Sequence, residues 1–128
     1  SEKLKHLDAW NENRRSNLIT YIKNLEHISE VKFLNTNNIS GSVFHLTVAR
    51  VKKRKDLINY LNKNNISTII HYPIPLHKTK AYKNYSYREN ELKNSETLGR
   101  EIVSLPNYPG MTENQIDFVC SKISEFYR

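Results

Sequence analysis

All four prolines of this 128-residue chain fall in two short passages, Pro73 with Pro75 and Pro106 with Pro109. A proline fixes φ and lacks an N–H, and it pushes the residue before it toward extended backbone. Neither passage can therefore run through a helix interior or a central strand. Regular structure must be built before, between and after them. In the first stretch, apolar residues at Leu4, Leu7, Trp10, Leu18, Tyr21, Ile22 and Leu25 keep helical spacing, with Asn11 to Arg15 in the polar sector. That predicts a helix over 4–25. Val31 to Leu34 reads as a short strand, Asn35 to Gly41 as a turn region, and the alternation of Ser42 to Val51 as a central strand. Asp56 to Asn64 reads as a helix after the basic connection Lys52 to Lys55, and the β-branched Ile66 to Ile70 as a third strand. His71 to Tyr87 is a long irregular segment. Asn94 to Ser104 then looks helical, with Asn94 or Ser95 as cap. Thr112 and Gln115 have capping-box spacing ahead of Ile116, Val119, Cys120 and Ile123. The order α-β-β-α-β-loop-α-α predicts an α+β fold, a small and largely antiparallel sheet with helices packed on one face.

The length suits one small domain, residues 1–128, with no room for a second. The chain starts at Ser1, without a methionine, and enters a helical pattern almost at once. A fragment of a longer protein is the expectation. No apolar run reaches the length of a membrane span. The lone Cys120 has no partner for an internal disulfide and lies on an apolar helical face, where a thiol acts as a small hydrophobe. A cytoplasmic location is expected. With three glycines the chain holds no P-loop and no dinucleotide fingerprint. No Cys/His spacing suits a metal.

The net charge of +7 admits an anionic partner. The plainer reading is lysines scattered over the surface of an Asn-, Lys- and Ile-rich chain. Arg50 to Lys55 reads as a phosphate contact or as a solvated strand-to-helix junction. Lys78, Lys80, Tyr82, Lys83, Tyr85, Tyr87 and Arg88 interleave in a weak nucleic-acid pattern that no recognition motif accompanies. The most unusual stretch is His71-Tyr72-Pro73-Ile74-Pro75-Leu76-His77. Its stiff backbone can hold an imidazole and a phenol in place for hydrogen bonds to sugar hydroxyls or phosphate oxygens. The plainer reading is a proline-rich corner packing its tyrosines. His45, in an alternating strand, reads as a hydrogen-bonded core histidine.

Leu7 to Arg15, Ser42-Val43-Phe44-His45-Leu46, Ile70 to His77 with Ala81-Tyr82, Ser95-Glu96, Val103 to Pro109 and Met111 to Ile116 follow one another in an order seen in a known family. Over nearly its whole length the chain resembles the C-terminal small domain of DegT/StrS-type aminotransferases. The resemblance implies a parent enzyme that uses pyridoxal 5′-phosphate to move an amino group, usually from glutamate, onto a nucleotide-linked keto sugar. In that family the Schiff-base lysine lies in a large N-terminal domain. No lysine here matches its motif, so no residue is assigned as catalytic or cofactor-binding, and the isolated chain is expected to be inactive. The implied share of the small domain is to cover the active site. His71, Tyr72 and, less directly, His77 are the implied substrate-binding residues. Trp10, Arg14 and Arg15 read as structural or domain-interface residues, and Pro106, Tyr108 and Pro109 as a turn that packs. The implied partners are the large domain and a second parent subunit. A free-standing basic module that binds a polyanion is the alternative.

Overall fold

A computed structural model of the chain describes residues 2–82, 84–85, 87 and 91–128. Helix α1 spans Leu7–Leu25 after a 3-10 turn at Glu2–His6, and buries Asn17, Leu18, Tyr21 and Leu25 at helical spacing. Strand β1 (Val31–Phe33) and strand β2 (Thr47–Val51) are antiparallel, with Val31 opposite Val51 and Phe33 opposite Ala49. Helix α2 (Arg54–Lys63) buries Leu57 and Leu61. Helix α3 (Lys93–Glu101) runs directly into strand β3 (Ile102–Leu105), which is antiparallel to β2 with Leu105 opposite Thr47 and Val103 opposite Ala49. Helix α4 (Glu113–Tyr127) closes the fold.

The sheet order is β1-β2-β3, and its period-2 pleat divides the residues cleanly. Thr47, Ala49, Val51, Val103 and Leu105 are buried, and the apolar members of this set join one cluster with Tyr21, Leu25, Leu57, Leu61, Ile116, Val119, Cys120 and Ile123. This is the α+β arrangement expected, with α1, α2 and α4 supplying the helical side of the core. The opposite pleat carries Val48, Arg50, Ile102 and Ser104. The His71 segment and the end of α3 meet the sheet there.

Three expected elements differ. Residues 102–104 leave the predicted helix and form a strand, because β2 offers a ladder and Val103 and Leu105 fill the core from alternate positions. Ile66 to Ile70 forms no strand. Its ladder is a single bridge from Ile69 to Ser104, with Ile69 58% exposed. The strand predicted from Ser42 begins only at Thr47. Phe44 adopts φ 44° with its ring buried, and the Arg15 guanidinium takes the Ser42 carbonyl at 2.8 Å. A left-handed residue cannot continue a ladder. His45 consequently points outward and is exposed, not in the core.

The caps follow the same logic. Thr112 and Gln115 make the capping box in both directions. The cap expected at Asn94 or Ser95 is absent, because α3 starts one residue earlier, after Leu92. The Pro106–Pro109 passage is locked to the rest by polar groups. Asn107 donates to the Thr47 hydroxyl at 2.6 Å and the Arg14 carbonyl at 3.2 Å, and accepts from the Asn17 amide at 3.0 Å. The Tyr21 hydroxyl donates to the Pro106 carbonyl at 3.0 Å. Tyr108, expected to pack, is 47% exposed. Trp10 is half-buried and stacks on His6.

Candidate functional site

The site grows out of the edge of β3. Ile69 exchanges both backbone hydrogen bonds with Ser104, at 3.3 and 2.8 Å, and this fixes where the chain leaves the sheet. Two residues later His71 places Nδ1 2.9 Å from the Ser104 hydroxyl. The peptide between His71 and Tyr72 is cis. Pro73 and Pro75 keep the next residues extended until a 3-10 turn at Leu76–Lys78, closed by Lys78 N–H on the Pro75 carbonyl at 2.9 Å. A second turn, Lys80–Tyr82, follows.

The floor under this passage is α3. Gly99 is buried, and a Cβ there would lie 3.1 Å from the Pro75 ring and 3.4 Å from the Pro73 carbonyl. The absent side chain is what lets the proline segment lie on the helix. Arg54, from α2, donates to the Gly99 carbonyl at 2.6 Å and the Ile102 carbonyl at 3.3 Å. It thereby satisfies carbonyls freed where α3 becomes β3, and desolvation lowers its pKa from the ordinary value.

The three candidate residues occupy different places. Tyr72 is 74% exposed, its ring edge-on to His71. His77 is turned inward, with Nε2 3.3 Å from the Glu96 carboxylate and its ring against Tyr87. Lys78 reaches the same carboxylate at 3.0 Å. Lys78, and then His77, hold Glu96 below the usual carboxylate range. Tyr72 and His77 share a cavity of about 410 Å³ between the proline passage and α3, whose apolar wall includes Leu76, Leu98 and Ile102. His71 stands beside that cavity, engaged with Ser104. Ile74 and Leu76 add exposed apolar surface to the cavity.

Three of the basic residues singled out in the sequence have structural uses. Arg50 pairs with Glu101, and Arg54 caps α3. Of the interleaved run, Lys78 is bound to Glu96, while Lys83 and Arg88 lie outside the described residues. Cys120 is buried, and burial pushes its thiol up to about 12, so it is the small apolar residue expected. Among the described residues no group of three His, Cys, Asp or Glu could hold a metal. No described helix is long and apolar enough to cross a membrane. The described cavity lining contains no lysine and no carboxylate. It therefore offers neither an amine to hold pyridoxal phosphate covalently nor an anion for the pyridinium nitrogen. The residues present do not by themselves fit that cofactor.

Sequence reasoning gave no role to Ser104, Glu96 or Gly99. A glycine inside a helical pattern, just ahead of an Ile-Val pair, was the available signal for close approach. The partners of Ser104 and Glu96 depend on tertiary pairing, which the pattern does not carry.

These features define a small α+β domain with a proline-stiffened, aromatic cleft at a sheet edge. The chain belongs to the DegT/DnrJ/EryC1/StrS aminotransferase family, whose model matches residues 1–124. It is 37% identical over 128 residues to the dTDP-3-amino-3,6-dideoxy-alpha-D-galactopyranose transaminase of Aneurinibacillus thermoaerophilus, covering 98% of this chain and 34% of the relative. It is 36% identical over 130 residues to a pleiotropic regulatory protein of Geobacillus stearothermophilus, covering 100% and 35%. Among solved structures, S. venezuelae DesV in complex with a ketimine intermediate superposes with TM-score 0.90 at 30% identity, over 98% of this chain and 34% of that one. The chain thus spans about a third of the length of the relatives it matches.

Proposed function

We propose that residues 1–128 form the C-terminal, substrate-covering domain of a pyridoxal-phosphate-dependent aminotransferase acting on a nucleotide-linked keto deoxysugar. The cofactor and its lysine would come from a large N-terminal domain outside this chain. The observation that carries this reading is the cleft itself. An exposed phenol at Tyr72 and the His71 imidazole next to it stand on a stiff segment beside an apolar wall, and the described lining of the cleft holds no lysine and no carboxylate. A sugar presents hydroxyls for such donors and C–H faces for such walls. The names of the dTDP-sugar relatives support that substrate class. Tyr72, His71 and His77 are the proposed contacts, serving to bind and orient. A homodimeric parent and a cytoplasmic location go with the reading.

The test starts upstream of Ser1 in the coding DNA. An open frame for a large α/β domain, about 200 residues or more, carrying a cofactor lysine would support the proposal. A start codon directly before Ser1 would refute the fragment reading. In the full-length protein, Tyr72→Phe should raise KM for the keto-sugar nucleotide severalfold with kcat little changed. Transamination by the 128-residue chain alone would also refute the assignment.

A further inference from the structure

We infer that Ser104 is a positioning residue for His71: its hydroxyl donates to Nδ1, which fixes the imidazole as the neutral Nε2–H tautomer and offers that N–H to an acceptor oxygen of the bound molecule. The argument is one of hydrogen-bond accounting. Ser104 is buried on β3, and its backbone N–H and C=O are both committed to Ile69. Its hydroxyl proton needs an acceptor, and among the described residues the only partner within reach is His71 Nδ1, at 2.9 Å. A neutral imidazole carries one proton. Were it on Nδ1, the serine would have to accept, and its own O–H would be buried with no acceptor, the costlier arrangement. With Nδ1 accepting, the proton sits on Nε2. That nitrogen has no partner among the described residues, and the His71 side chain is only half-buried.

The backbone bridge adds to the effect. The same Ser104 that bonds the ring also holds Ile69, two residues before His71. Backbone and ring are therefore referenced to one point on the sheet edge, which leaves the imidazole little freedom to swing. A locked Nε2–H is a hydrogen-bond donor and not a base, so it suits a carbonyl, hydroxyl or phosphate oxygen. The identity of that ligand rests on the proposed sugar-nucleotide function, whereas the tautomer does not.

The experiment is joint neutron and X-ray diffraction from deuterated crystals of the full-length protein near pH 7.5, with kinetics of Ser104→Ala and Ser104→Thr. A deuteron on Nε2, none on Nδ1, and the serine O–D aimed at Nδ1 are expected. A deuteron on Nδ1 overturns the inference whatever the kinetics. Ser104→Ala should raise KM for the sugar nucleotide about tenfold, the worth of one well-made hydrogen bond, with kcat within about twofold, and Ser104→Thr should restore most of it. Equal losses of kcat and melting temperature that threonine does not rescue would reduce Ser104 to a structural residue. The expected deuteron with KM unmoved by Ser104→Ala would uphold the tautomer and sink the sugar-nucleotide reading. The wild-type deuteron position decides the tautomer even if Ser104→Ala fails to fold.

Discussion

Replacing Asn107 by alanine removes a side chain that ties the proline passage to both α1 and β2. Three hydrogen bonds go with it, to the Thr47 hydroxyl, the Arg14 carbonyl and the Asn17 amide. They do not count equally. The Arg14 carbonyl lies inside α1, where a carbonyl already has a helical partner, and loses only a second one. Asn17 keeps a contact to the Tyr108 carbonyl at 3.3 Å. Thr47 is 1% exposed, and its hydroxyl has no other partner among the described residues. A net hydrogen bond is worth about 1 kcal/mol and an orphaned buried group costs about 1–3 kcal/mol. One full orphan plus two partial losses gives about 3 kcal/mol. With a urea slope of about 2 kcal/mol per molar, the midpoint should fall by about 1.5 M. The assay is urea unfolding followed by far-UV circular dichroism. Adding Thr47→Val to Asn107→Ala should recover about 1 kcal/mol or more, because the orphan is then gone. A loss under about 1 kcal/mol for Asn107→Ala, with no recovery in the double variant, would show that water replaces the amide and would refute the accounting.

Two further expectations concern stability alone. Thr112→Ala should cost about 1 kcal/mol, since the α4 capping box loses the side-chain acceptor for the Gln115 N–H; an unchanged melting temperature would show that water caps this helix as well. Burial raises the Cys120 thiol to about 12 and the Tyr21 phenol above its ordinary value. The folded chain then keeps protons that the unfolded chain has released, so stability held below about pH 9 is lost as pH climbs toward 12. Urea midpoints measured across that window should fall with pH in the parent and less steeply in Cys120→Ala. Parallel slopes would place the sensitivity elsewhere.

Local signals were enough for much of this fold. The apolar spacing of Ile116, Val119, Cys120 and Ile123 found α4, and the Thr112–Gln115 pair found its start, because both depend on residues within one helical turn. The third strand was misplaced for a physical reason. Ile66 to Ile70 and Ile102 to Leu105 are both β-forming runs, and only the second finds a full ladder on β2. The His71–His77 segment was visible as a site because its prolines interrupt every regular pattern. What surrounds it was not visible, since Ser104 and Gly99 reach it from β3 and α3, two dozen or more residues further along the chain. His45 shows the converse failure. Alternation suggested burial, and one left-handed residue before it turned it to solvent.

The passage from Glu101 to Ile102 has no turn in it: a helix ends and a strand begins on adjacent residues. Rotation about that single joint sets the phase of everything after it. One residue inserted or deleted there would exchange the two faces of β3, putting Val103 under the imidazole and the Ser104 hydroxyl into the hydrocarbon core. Function and stability would then fail together, from a change that alters no side chain in either place. The 101–102 junction is thus a fixed length standard for the domain. Tolerance for added residues belongs to connections that carry no phase, such as the turn over residues 35–41, where the chain can lengthen without re-indexing the strand that follows.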